Sequence, residues 1–386
     1  MRAPARSASS RQAEVSAIYV HLPFCPYICP YCDFAKWPHR GSLAHDYFAA
    51  LVDEIRREPA FAARTLYLGG GTPNTYGCAR IADLKALLDA HFGPFSESSI
   101  ELNPELVAAG DMDAYARAGF DRVSIGVQSF EPREIGTLGR RHTQSEVTRA
   151  VSAARQAGVR SVSIDLMFGV PGQTVQSWGR TLKSAVTLAP DHISAYGLTV
   201  EEGTPFWQWR EKEPGVFPGD GLEADLYELA IDELGAAGYE HYEISNFARP
   251  GHRCAHNENY WANGEYRGFG VGAASYRNGV RWVQSRELGS YLQALRDGVQ
   301  VPAQCEHLQS AAAAGEAVML ALRTADGVAF EAFAQRYGID FLEFYRPVIR
   351  DMQRDGLLAV DGERARLTQR GRLLANDVCG AFVTFA

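Results

Sequence analysis

The chain has 386 residues, 46% apolar and 22% charged, enough for one large domain and a smaller one. Its 38 basic and 46 acidic side chains sum to −8, which argues against broad phosphate-neutralising contact with nucleic acid. No apolar run approaches the ~20 residues of a membrane span. Seven cysteines with three clustered are no secreted disulfide framework, so a reducing cytoplasm is the expected compartment.

Residues 1–14 carry Arg2, Arg6, Arg11 and several Ser and Ala, and are expected to be a disordered tail, with an organellar transit peptide as the alternative. A β-like run from Ala17 to Leu22 leads into Cys25, Cys29 and Cys32, spaced C-x3-C-x2-C. Soft thiolates select iron–sulfur clusters or zinc. Three of them hold three corners of a [4Fe–4S] cubane and leave one iron open, whereas a structural zinc site needs a fourth ligand, here His21 or His39.

Strand and helix patterns then alternate. Helices are expected near 43–57, 111–117, 144–157 and 175–188, and another puts Ile81, Leu84, Leu87 and Leu88 on one face. Strands are expected at 65–68, 99–102, 122–127, 162–167 and 192–196. Six β/α units imply an α/β fold with a parallel sheet, too short for an eight-unit barrel, so 15–245 is expected to form a partial (β/α)6 barrel or an open parallel sheet. The cysteines, Gly69-Gly70-Gly71-Thr72-Pro73, Glu101 with Asn103, Gln128 and Asp165 all fall at strand C-terminal ends, the edge where parallel α/β folds bind ligands.

Residues 201–220 read as a loop or lid, and 246–305 as a connecting region containing His252-Arg-Cys254-Ala-His256-Asn-Glu-Asn-Tyr260-Trp261. Glycines 264, 268, 270 and 272 there are expected to allow close approach of backbone to a ligand. His252, Cys254 and His256 each offer an iron ligand, although a loop histidine more often only hydrogen-bonds. Tyr260 and Trp261 suit either a porphyrin face or the core, and Cys78, Cys305 and Cys379 read as small buried residues. Residues 306–386 combine helices with a 357–367 hairpin, a smaller, mostly helical, winged-helix-like domain whose Arg364, Arg366, Arg370 and Arg372 read as a solvated face.

These motifs together resemble the radical S-adenosylmethionine superfamily. Tyr19 to Cys25, Gly69 to Pro73, Glu101 to Pro104, Ser124 to Phe130 and Ile164 to Pro171 are similar to its oxygen-independent coproporphyrinogen III oxidase-like branch. Asp33-Phe34 after Cys32, where the oxidases carry another cysteine two positions on, and the HNxxYW-like string His256 to Trp261 make the HemW-type heme chaperones the most similar group. The resemblance implies that Cys25, Cys29 and Cys32 bind a [4Fe–4S] cluster. It places S-adenosylmethionine on the open iron beside Tyr19, Gly70, Gly71, Thr72 and Glu101. Tyr31, Gln128, Arg140 and Asp165 match the positions that hold a second such molecule in the oxidases. It also implies heme as ligand, with His256 as candidate heme-binding residue, and acceptor hemoproteins, including those of the respiratory chain, as partners. A homodimer and peripheral membrane contact stay open. The oxidase reaction is the other reading.

Overall fold

The structure, a computed structural model, describes residues 15–308 and 310–385; the expected tail at 1–14, with its transit-peptide alternative, lies outside the described residues. Six strands, β1 (Ala17–Leu22), β2 (Thr65–Gly70), β3 (Glu97–Leu102), β4 (Arg122–Gln128), β5 (Ser161–Phe168) and β6 (His192–Gly197), pair in parallel in that order. The period of two in strand side chains divides each strand between two environments. Ile18, Val20, Leu66, Leu68, Ile100, Val123, Ile125, Ile164 and Ile193 are fully buried in the main core. Tyr67, Glu101, Ser124, Asp165 and Ser194, at the alternate positions, line a cavity.

Helices α1 (Gly41–Arg57), α2 (Cys78–Phe92), α3 (Asp111–Arg117), α4 (Gln144–Gln156) and α5 (Val175–Thr187) connect these strands. α1 buries Ala44, Tyr47, Leu51 and Ile55, spaced at helical intervals. Thr143 and Thr174 start α4 and α5 with capping boxes that satisfy the first free N–H groups.

The sheet does not stop at six strands. After α6 (Asp220–Ala236), β7 (Glu240–Glu243) and β8 (Asn246–Ala248) extend it antiparallel beyond β6. The chain then crosses back through α7 (Ala255–Trp261) to β9 (Tyr266–Phe269), parallel to β1, and meanders through β10 (Ala274–Arg277), β11 (Val280–Gln284) and β12 (Ala303–His307). Residues 246–305 thus carry strands at both ends of one mixed 12-stranded sheet. The glycines expected to face a ligand there serve protein packing. A Cβ at Gly268 would strike the Ala274 carbonyl, and one at Gly270 the Tyr47 hydroxyl.

The C-terminal domain packs α8 (Ser310–Leu322) against α9 (Ala375–Phe385) beside a three-stranded sheet of β13 (Val328–Ala329), β14 (Leu358–Val360) and β15 (Arg364–Leu367). Val318, Phe333, Phe341, Tyr345, Val378 and Phe382 form its separate core. It docks on β7 through backbone bonds from Ile244 N to Arg323 O and from Ala325 N to Tyr242 O, both 2.9 Å. The four arginines read as a solvated face make intrachain contacts: Arg366 with Asp361, Arg364 with the Asp326 carbonyl, Arg370 with the Asp355 carbonyl and Arg372 with His241. Among the described residues no helix is long and apolar enough to cross a membrane.

Candidate functional site

Cys25, Cys29 and Cys32 line one cavity of about 530 Å³ together with residues of β2 to β6. Phe24–Cys25 pairs with Trp37–Pro38, a short clip that anchors the loop at both ends. Burial pushes the Cys25 thiol up to about 11, while the Thr72 hydroxyl beside it acts the other way. Burial raises Cys32 as well. Such thiols need a bound metal to become the thiolates that ligate it.

Among the described residues no three His, Cys, Asp or Glu side chains converge as a single metal ion requires. A cubane asks for less convergence, because each thiolate takes a different iron. The zinc alternative has no fourth ligand in His21. Its Nδ1 meets the Tyr19 hydroxyl at 3.0 Å and its Nε2 the Ala35 carbonyl at 2.7 Å, and burial lowers it to about 4.

Beside the start of the cysteine loop runs the ribbon 69–72. The N–H of Gly70 donates to Glu101 Oε2 at 3.2 Å, that of Gly71 to Leu22 O at 2.9 Å and that of Thr72 to Phe24 O at 3.0 Å. These three donors are engaged within the protein, and the Thr72 carbonyl accepts from Thr75 N at 3.0 Å and Thr75 Oγ1 at 2.7 Å. Burial and the facing Asp165 carboxylate push Glu101 up to about 7, against hydrogen bonds from Tyr67 (3.0 Å) and Gly70. Asp165 is raised by burial despite accepting from Ser124 Oγ at 2.8 and 2.9 Å.

Gln128 sits where β4 loses register with β5 and takes a φ of +68°, uncommon outside glycine and frequent at functional sites. Arg140 crosses to donate to Asn103 Oδ1 at 3.0 Å and to the Gly126 carbonyl, and its Nε, although buried, has no partner among the described residues. That leaves a guanidinium edge for an anionic group. Tyr31 meets Phe206 at 6.1 Å between ring centres, and Phe206 N donates to Pro30 O at 3.2 Å. The 198–217 segment thereby rests on the cysteine loop.

The cavity gathers Tyr31, Gly70, Gly71, Thr72, Glu101, Gln128, Arg140 and Asp165 with the three cysteines, but not Tyr19 or His256. Tyr19 stacks on Tyr67 at 6.3 Å instead. His256 is 1% exposed, with Nδ1 2.9 Å from Thr65 Oγ1 and Nε2 2.9 Å from the Tyr260 hydroxyl. Both ring nitrogens of this candidate heme-binding residue are thus engaged by protein hydroxyls, outside the cavity that holds the cysteines. Sequence reasoning passed over Tyr67, Arg122, Ser124, Ser163, Ser194 and Tyr196, which also line the cavity. For Tyr67, Ser124, Ser163 and Ser194 the signal was alternation, a polar or amphipathic position between apolar ones on its strand. At the cavity wall, Ile28 (39%), Phe34 (67%) and Tyr196 (40%) are exposed large apolar side chains.

Residues 19–185 match the Radical SAM superfamily and residues 308–374 the HemN C-terminal domain. The chain is 33% identical over 376 residues to the heme chaperone HemW of Bacillus subtilis (strain 168), covering 96% of this chain and 99% of that protein. It is 36% identical over 370 residues to the HemW of Mycobacterium tuberculosis (strain ATCC 25618 / H37Rv), covering 94% and 93%. Among solved structures, coproporphyrinogen III oxidase (HemN) from Escherichia coli, a radical SAM enzyme, superposes with a TM-score of 0.85 at 27% identity, covering 98% of this chain and 92% of that one.

Proposed function

We propose, for a chain that belongs to the HemW family within the radical S-adenosylmethionine superfamily, that it binds heme and passes it to acceptor hemoproteins. Cys25, Cys29 and Cys32 would hold a [4Fe–4S] cluster, with S-adenosylmethionine on its open iron. Bound together, these groups supply one-electron chemistry that supports or gates the transfer. The residues fit this assignment. The carbonyls of Gly70 and Gly71 accept from an ammonium, the free edge of Arg140 pairs with a carboxylate, and Glu101 accepts from ribose hydroxyls. Tyr31, Gln128 and Asp165 complete the wall.

The observation that carries the chaperone reading is Phe34. It stands where the resemblance puts a further cysteine in the oxidases, and it is 67% exposed beside the cluster loop. With Ile28 and Tyr196 it offers apolar surface that a porphyrin face would cover. Likeness to the Escherichia coli oxidase over 98% of this chain supports the second reading, oxidative decarboxylation of coproporphyrinogen III.

Anaerobic cluster reconstitution, heme titration and a separate incubation with coproporphyrinogen III, S-adenosylmethionine and reductant separate the two. Stoichiometric heme binding without protoporphyrinogen formation is expected, and catalytic decarboxylation would overturn it. Phe34→Ser is expected to weaken heme binding roughly 5- to 30-fold, the scale of one buried aromatic contact.

A further inference from the structure

We propose that His256 is a positioning residue that acts through Tyr67 to hold the Glu101 carboxylate in the cavity. The proposal rests on the reading of Glu101 as an acceptor for S-adenosylmethionine and gives the HNxxYW-like string a role other than heme ligation.

The geometry forms a continuous strut. Glu97, 3% exposed, fixes the start of α7 by accepting from Ala255 N at 3.2 Å and His256 N at 3.1 Å. Thr65 and Tyr260 hold the two ring nitrogens of His256, which leaves the imidazole no rotation. The ring lies against Tyr67, centroids 5.2 Å apart and planes 33° from parallel. Tyr67 in turn donates to Glu101 Oε1 at 3.0 Å, while Gly70 N holds Oε2 at 3.2 Å. Tyr19 also stacks on Tyr67, and its hydroxyl meets His21, whose Nε2 contacts the Ala35 carbonyl three residues past Cys32. The strut therefore reaches the end of the cysteine loop as well as Glu101.

A tyrosine on the inward face of a strand has one hydroxyl and a ring free to swing unless it is packed. His256 and Tyr19 are the packing. Burial lowers His256 to about 3, so the imidazole is neutral at working pH and acts by shape and hydrogen bonding, not by charge.

The test uses the full chain with reconstituted cluster and compares His256→Ala, Tyr67→Phe, His256→Gln and the His256→Ala/Tyr67→Phe double variant. S-adenosylmethionine affinity is measured by equilibrium dialysis and by the change it causes in the spectrum of the reduced cluster. Each single loss is expected to weaken binding about tenfold, with the double variant no weaker than the worse single one. His256→Gln, which keeps a donor and an acceptor, is expected to recover most of the affinity. Additive losses in the double variant, or wild-type affinity in His256→Ala with only a lowered Tm, would overturn the proposal.

The Glu101 titration, followed by carboxyl NMR on the cluster-free chain, is a readout independent of the ligand. Loss of the Tyr67 hydrogen bond should move it upward from about 7 in Tyr67→Phe, and by a similar shift in His256→Ala. If only Tyr67→Phe moves it, His256 does not act through Tyr67. If the wild type binds no S-adenosylmethionine while both variants shift the titration, the ligand reading fails and the strut stands.

Discussion

Arg286 holds Asp33, the residue that follows the third cysteine: its Nη2 lies 3.3 Å from Asp33 Oδ2 and also donates to the Asp33 backbone carbonyl. Arg286 comes just after β11, so the extension of the sheet secures the outer end of the cysteine loop. Both side chains are about half exposed, and such a pair contributes only ~0–1 kcal/mol to folding. Arg286→Ala is therefore expected to leave Tm within about 2 °C of wild type. It should nevertheless speed loss of a reconstituted cluster to a chelator severalfold, followed by the decay of its visible absorbance. An unchanged decay would mean that the loop is held without Arg286, by contacts such as that of Lys36 to the Cys32 carbonyl and the pairing of Phe24–Cys25 with Trp37–Pro38.

Phe206 is 2% exposed in a small cluster with Leu138, Val170 and Leu198, separate from the main core. Truncating such a ring costs about 3 kcal/mol. Because the cluster ties the 198–217 segment to Tyr31 and Pro30, the cost should fall on local opening and not on the barrel. Phe206→Ala is expected to raise amide exchange on the order of 100-fold in 198–217 and in the cysteine loop, with β1 to β5 unchanged. Uniform acceleration across the sheet would show instead that the cluster supports the whole fold.

The cysteine spacing and the polar residues at strand ends were legible because both are local patterns. Glu101, Gln128 and Asp165 needed only strand period and strand end to be placed together. Tyr19 was not placed as well: parity puts it on the same side as His21, but depth along the strand decides whether a side chain meets the cavity, and depth is set by register. His256 shows a second limit. A motif marks a residue without saying which neighbours fill its two nitrogens, and here Thr65 supplies one from a strand 191 positions away. The pairing of β9 with β1 is equally non-local, so Gly268 and Gly270 read as ligand-facing when the close neighbours are Ala274 and Tyr47.

Gly70 combines two constraints that can be separated by mutation. Its φ is +111°, and a Cβ there would stand 2.5 Å from the His21 ring, whereas Gly77, with φ +80°, has open space around it. Alanine at Gly77 therefore meets only the backbone penalty, about 1 kcal/mol. Gly70→Ala adds displacement of His21, hence of its Ala35 contact, and is expected to cost at least twice as much by urea denaturation. It should also reduce cluster retention, which Gly77→Ala should leave alone. Equal costs would show that His21 yields freely and that the close approach carries no constraint.

Glu243 lies on β7 at the seam with the C-terminal domain, 2% exposed, accepting from Ser245 N at 3.1 Å and from the Asn246 amide. Burial pushes its carboxyl up to about 7 from 4.5, against those hydrogen bonds. A carboxyl held above its unfolded value binds its proton more tightly in the folded chain. Its stabilising contribution is full below pH 4.5 and is lost as pH rises through 7. The loss has an upper bound of roughly 3 kcal/mol, from 1.36 kcal/mol per pH unit. Glu243→Gln stays neutral throughout and gives up one hydrogen bond, an offset that does not depend on pH. The stability of the variant relative to wild type should therefore rise between pH 5 and pH 7 and level off by pH 8, measured by denaturation at several pH values. A difference that is flat across that range would mean that the carboxylate is already charged in the folded chain and that Arg323, the nearby cation, compensates its burial.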